Sequence, residues 1–220
     1  MLTLRKSGER GTTTTKWLES KHTFSFGTYQ DSEHDGFKRL KVLNEDWIAP
    51  NTGFNLHEHK NMEIITYMIN GTLEHLDSIG NQTTLRKKDV QHISAGTGIL
   101  HQEYAGDKGA HLLQIWILPE QNIKPRHAQQ ALLHRPGWEP FSVEMLKNTQ
   151  CSISTAIIKS RMTENYALPK GTCAWLQVVV GKLMINGLTV SSGDGLATDE
   201  SLKMVAAQDS EVLAIEIRKN

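Results

Sequence analysis

The stretch Gly53-Phe54-Asn55-Leu56-His57-Glu58-His59 sets two histidines two residues apart, and Ala95-Gly96-Thr97-Gly98-Ile99-Leu100-His101-Gln102-Glu103 repeats the spacing with a histidine and a glutamate. In an extended strand successive side chains point to opposite faces, so each pair projects from one side of its own strand. If the two strands are neighbours, four donors converge on one point. Three imidazoles and a carboxylate suit Fe, Mn, Co, Ni, Cu or Zn; Ca and Mg prefer oxygen alone. The two segments therefore predict a β-barrel enclosing one mononuclear transition-metal site.

The distribution of histidine agrees. All ten histidines lie at or before His134, and six of them, His57, His59, His75, His92, His101 and His111, fall within one strand-rich region. His75, His92 and His111 lack the paired spacing and are read as hydrogen-bonding or surface groups.

Short alternating or apolar runs recur along the chain: Leu40-Lys-Val-Leu, Glu63-Ile-Ile-Thr-Tyr-Met-Ile, Thr72-Leu-Glu-His-Leu, Val90-Gln-His-Ile, His111-Leu-Leu-Gln-Ile-Trp-Ile-Leu, Trp175-Leu-Gln-Val-Val-Val, Lys182-Leu-Met-Ile and Val212-Leu-Ala-Ile-Glu-Ile. Asn70-Gly71, Gly80-Asn81 and Asn186-Gly187 read as hairpin turns between them. This is an all-β pattern. Residues 119–140 carry Pro119, Pro125, Pro136 and Pro140, and read as a linker with one short helix around Ala128-Gln-Gln-Ala-Leu-Leu. It would divide an N-terminal metal-binding barrel, residues 1–118, from a C-terminal barrel, residues 141–220. The halves echo each other: Tyr67-Met-Ile-Asn-Gly71-Thr-Leu resembles Val178-Val-Val-Gly181-Lys-Leu, and a further turn ends at Asp89 or Asp194. Positions matching the four donors fall on Ala167, Pro169, Ala206 and Gln208 in the second half, none of them a ligand. A duplicated barrel whose second copy lacks the metal accounts for the asymmetry.

Composition narrows the function. Lys plus Arg equals Asp plus Glu at 24 each, so the chain carries no electrostatic footprint for nucleic acid or an anionic membrane. Cys151 and Cys173 lack metal-site spacing and are expected to be reduced and buried. No apolar run reaches the length of a membrane span or a signal peptide, so a cytoplasmic protein is expected, as a monomer.

The pattern of His57-Glu-His59, Glu63, a glycine-bearing turn and Gly98-Ile-Leu-His101 resembles the cupin superfamily. More narrowly, His57-Glu-His-Lys-Asn-Met-Glu63-Ile-Ile-Thr-Tyr67, Gly71-Thr-Leu-Glu-His75-Leu-Asp-Ser-Ile-Gly-Asn81, Ala95-Gly-Thr-Gly-Ile-Leu-His101-Gln-Glu103-Tyr104 and His22-Thr-Phe-Ser-Phe26 are similar to the short bacterial pirins. The resemblance implies a bicupin, with two antiparallel jelly-roll barrels, and iron, Fe(II), held by His57, His59, His101 and Glu103. Glu58 replaces the proline usual between the first two ligands, and Lys88 the glycine usual before Asp89. The resemblance further implies quercetin 2,3-dioxygenase chemistry. Glu103 would take the proton of a flavonol 3-hydroxyl, and the enolate would react with dioxygen, opening the central ring and releasing carbon monoxide.

Glu63 is the rival carboxylate, but four residues beyond His59 along one extended strand it lies about 13 Å away. Trp17, Phe24, Phe26, Phe37, Trp47, Phe54 and Tyr104 could line a pocket for a small aromatic substrate, and core packing explains them equally well. The alternative to an enzyme is a non-catalytic, redox-sensing metal protein that docks a regulatory protein partner.

Overall fold

A computed structural model describes residues 2–133, 135–141 and 146–219. Among them the chain forms β1 (Leu2–Arg5), β2 (Gly11–Thr14), β3 (Leu18–His22), β4 (Leu40–Ile48), β5 (Gly53–His59), β6 (Glu63–Asp77), β7 (Gln82–Arg86), β8 (Asp89–Ser94), β9 (Ile99–Ile117) and β10 (Arg126–Ala131). There follow β11 (Gly137–Pro140), β12 (Cys151–Ile158), β13 (Thr163–Tyr166), β14 (Thr172–Val180), β15 (Lys182–Ile185), β16 (Leu188–Ser191), β17 (Gly195–Thr198), β18 (Leu202–Ala206) and β19 (Ser210–Arg218). Every ladder between these strands is antiparallel, as the all-β reading expects. No helix among the described residues is long and apolar enough to cross a membrane.

The chain divides into a central unit, Gly11–Leu132, and a terminal unit built from Met1–Arg10 and Leu133–Asn220. These boundaries differ from the expected ones at both ends of the first barrel. The opening residues leave it because Leu2–Arg5 pairs with β17, adding an edge strand to the sheet β17-β14-β19-β12-β11. Most of the expected linker joins it instead. Arg126–Ala131 is a strand registered against β8, Arg126 opposite Ser94 and Ala131 opposite Asp89, and it takes in four of the six residues Ala128–Leu133 read as a short helix. Six helix-tolerant residues form too short a helix to stand alone in water, and the open edge of β8 offers partners for their backbone. His134, the last histidine, lies outside the described residues.

The central unit is organised by two long strands. β9 lies between β6 and β4 along its second half, while its first half pairs with β5 on one side and with the end of β6 on the other. Asn70-Gly71, expected to be a hairpin, instead lies inside β6, where the pairing to β9 shifts register around Met68, Asn70, Gly71 and Leu73. Gly71 has a φ of +78°, and a Cβ there would lie 2.1 Å from the Gly109 carbonyl oxygen. Only glycine lets the two backbones approach so closely while the strand bends, so the turn signal here marks a bulge. The other two turns fall between strands as expected, Gly80-Asn81 between β6 and β7 and Asn186-Gly187 between β15 and β16.

Apolar alternation fills the interior. Ile64, Ile93, Ala95 and Ile99 form one cluster with Met62 and Trp116 against it; Ile48, Met68, Leu73, Leu85, Ala105, Ala110 and Leu112 form another. In the terminal unit fifteen buried residues, from Ala156 to Ala214, form one apolar core. Cys173 is buried as expected and Cys151 only half so; neither forms a disulfide.

Candidate metal centre

β5 and β9 are neighbours, and the register sets His57 directly opposite His101. Opposed residues of an antiparallel pair share a face, so His59 and Glu103, each two residues further, project to that side as well. The rings converge. Ring centroids of His57 and His101 are 4.3 Å apart, those of His57 and His59 4.7 Å, and those of His59 and His101 4.9 Å. One nitrogen from each ring lies within 4.8 Å of the others. The fourth predicted residue, Glu103, belongs to a second such set, in which its carboxylate, His75 and His101 meet within the same distance. Both sets lie in the central unit and share His101. All four predicted residues line one cavity of about 230 Å³ with Phe26, Phe54, Ile64 and Trp116.

The donor set fits a transition metal on grounds visible in the side chains. His101 is buried and, among the described residues, neither of its ring nitrogens has a hydrogen-bond partner, an expensive arrangement for a purely structural residue. The Nδ1–H of His57 donates to the Asn55 carbonyl at 2.7 Å, a tautomer that leaves Nε2 as a lone-pair donor. Burial and the neighbouring His57 ring lower His59 to about 4, and burial with the adjacent imidazoles lowers His101 to about 3. Both rings are therefore neutral near pH 7, the form that binds metal.

Glu103 is buried beside a second buried acid, Asp46. Burial first, then the Asp46 charge, pushes its carboxyl up to about 7, against a 3.4 Å hydrogen bond from the Gln91 amide. Burial likewise raises Asp46 to about 6, although Ser20 donates to it. A carboxyl titrating near neutrality is suited to accept and release protons.

The rival Glu63 is committed elsewhere. β5 ends at His59 and Glu63 opens β6, so the single extended strand assumed for their separation does not exist. Its carboxylate accepts from His92 Nε2 at 2.6 Å and from Ser94 Oγ at 2.9 Å. His111 also has the expected structural role, donating to Glu45 at 2.9 Å and stacking on Trp47. His75 has more to it than that reading allowed. It is opposite Glu103 in the β6–β9 register, donates from Nε2 to Asp77 at 3.1 Å, and stacks on His127. Asp77, opposite His101, is fixed by the backbone and side chain of Asn81. The spacing His75-Leu-Asp77 repeats the i,i+2 signal of the ligand pairs and could have flagged this wall.

Of the predicted aromatics, Phe26 and Phe54 line the cavity; Trp17 packs edge-on against Phe54 from outside it. Trp116, not among the predicted aromatics, approaches His59 with ring centroids 4.9 Å apart.

Elemental analysis is expected to find about one metal per chain after reconstitution, because no comparable set occurs among the described residues of the terminal unit. His111→Ala should leave that value unchanged; occupancy near two, or its loss in His111→Ala, would contradict the assignment.

The chain is similar to known proteins along its length. Residues 3–117 match the Pirin family and residues 145–217 the quercetinase C-terminal cupin domain. A protein of Escherichia coli K12 named quercetin 2,3-dioxygenase is 39% identical over 230 residues, covering 99% of each chain. A pirin-like protein of Caulobacter vibrioides is 33% identical, covering 91% of this chain and 92% of its own. The crystal structure of the Escherichia coli bacterial pirin YhhW in complex with nickel(II) superposes with a TM-score of 0.93 at 37% identity, covering all of both chains.

Proposed function

The chain belongs to the pirin family, with two cupin domains, and on that premise we propose that it is a metal-dependent dioxygenase that opens the central ring of a flavonol such as quercetin. The observation that carries the proposal is the convergence of His57, His59 and His101 in a cavity walled by Phe26, Phe54 and Trp116. The similarity to the Escherichia coli quercetin 2,3-dioxygenase along both chains supports the reaction class. The metal we propose is iron, held by His57, His59 and His101 with Glu103 as fourth ligand; the nickel(II) complex of the homologous pirin supports a divalent metal ion. Such an ion would supply Lewis acidity and redox capacity for dioxygen chemistry.

The chain's own residues supply the rest. Glu103 accepts the proton of the flavonol 3-hydroxyl, and Gln91 Nε2 steadies Glu103 Oε1. The aromatic walls keep water from the enolate and hold a planar ring on its faces. At about 230 Å³ the cavity is smaller than the roughly 300–1,000 Å³ of sites that enclose a ligand. A three-ring substrate therefore inserts one end and leaves the rest at the mouth.

The test is anaerobic reconstitution with Fe(II), then addition of quercetin and air. Quercetin loss with stoichiometric carbon monoxide is expected. Absence of both quercetin loss and carbon monoxide release, from protein holding one metal per chain and with nickel tried beside iron, would overturn the proposal.

A further inference from the structure

One wall of the cavity is built from hydrogen-bonding side chains that the metal cluster does not use. Where β3 pairs with β4, His22 lies opposite Asn44 and Ser20 opposite Asp46. Thr13 on β2 continues the row beyond Ser20, and Gln114 on β9 continues it beyond Asn44. Because opposed residues share a face, the register alone brings all six to one surface. All six line the cavity that holds His57, His59, His101 and Glu103. Ser20, His22, Asn44 and Asp46 are buried. An apolar set would fill this wall at lower cost, since buried polar groups are tolerated when they find partners.

Their hydrogen bonds occupy one side of each group. Ser20 Oγ donates to Asp46 Oδ1 at 2.5 Å. His22 Nδ1 donates to Asn44 Oδ1 at 2.9 Å, and its Nε2 accepts from Thr13 Oγ1 at 2.8 Å. Among the described residues no hydrogen bond engages the second oxygen of Asp46, an acceptor, or the amide N–H groups of Asn44, donors. They stand two residues apart on one face of β4, roughly 7 Å along the strand.

We propose that this patch is a specificity surface that reads phenolic hydroxyls on the end of the substrate that enters the cavity with the reacting enol. The inference rests on the reading of the cavity as an aromatic-enol site and narrows the substrate class to polyhydroxylated members. A phenol both donates and accepts, so an adjacent pair of hydroxyls satisfies Asp46 and Asn44 together. A carboxylate in the same place would meet the Asp46 charge. An unsubstituted ring would leave both groups dehydrated and unpaired, which costs roughly 10- to 100-fold in binding.

The experiment compares quercetin with 3-hydroxyflavone, which keeps the enol but lacks the other hydroxyls, on metal-loaded wild type, Asn44→Leu and Asp46→Asn. A preference of kcat/KM for quercetin of roughly 10- to 100-fold in wild type, reduced at least several-fold in both variants, is expected. Equal use of the two flavonols by wild type, which needs no variant, overturns the proposal and leaves the dioxygenase reading intact; so does a ratio that the substitutions do not move. If neither flavonol is consumed, the dioxygenase reading fails, and the same ratio is taken from dissociation constants by quenching of tryptophan fluorescence. A hydroxyl-dependent ratio that the substitutions collapse then still supports the patch, and absence of binding overturns both.

Discussion

His101→Ala is expected to strip the chain of its metal while leaving the fold in place. His101 is the donor shared by both ligand groupings, and its ring lies between His57 on one neighbouring strand and His75 on the other. Removing it takes away the one donor common to both sets and leaves Glu103 as the sole predicted ligand on β9, so affinity should fall by more than the roughly 10- to 100-fold that loss of an outer-shell partner costs. The fold should survive because, among the described residues, neither ring nitrogen of His101 has a hydrogen-bond partner. Truncation orphans no partner, and what is lost in packing is offset by removal of a dehydrated polar ring. Metal-free variant and metal-free wild type should melt within roughly 4 °C of each other. Added metal at 100 times its dissociation constant should stabilise wild type by about 2.7 kcal/mol and the variant hardly at all. A His101→Ala protein that retains one metal per chain and the metal-dependent rise in melting temperature would place the ion elsewhere.

That the three histidines could be read from the sequence follows from how little structure the reading needs. Period-two alternation places each pair on one face, and one neighbour relation, β5 beside β9, brings the pairs together. The polar wall of Ser20, His22, Asn44, Asp46 and Gln114 needs the registers of β3 on β4 and β4 on β9, and no local signal encodes these. His75 and Asp77 enter for the same reason, through the register of β6 on β9. Asn70-Gly71 misled because the strongest short-range hairpin signal also suits a bulge in a strand held by a long partner. Ala128–Leu133 misled because helix propensity over one short segment is weaker than the pairing an open strand edge offers.

Glu103→Gln is expected to trade activity for stability, and the two changes together separate a functional carboxylate from a structural one. Burial raises the folded Glu103 carboxyl from 4.5 to about 7, so folding favours the protonated form. In the metal-free protein its contribution is whole below pH 4.5 and is lost as the pH rises through about 7; at pH 8 the chain folds at the expense of burying a charge. Glutamine keeps the shape and removes the charge. Metal-free Glu103→Gln should therefore melt above wild type at pH 8, by an amount on the order of 3 kcal/mol at most, and the advantage should vanish at pH 4. With the metal bound through three histidines, flavonol turnover should fall by about 10² to 10⁴, the usual worth of a positioned acid or base. Glu63→Gln should do the opposite: it leaves one acceptor oxygen for the two donors His92 and Ser94, lowering stability while costing turnover far less. Unchanged turnover per bound metal in Glu103→Gln, with the loss confined to Glu63→Gln, would transfer the proton-accepting role to Glu63.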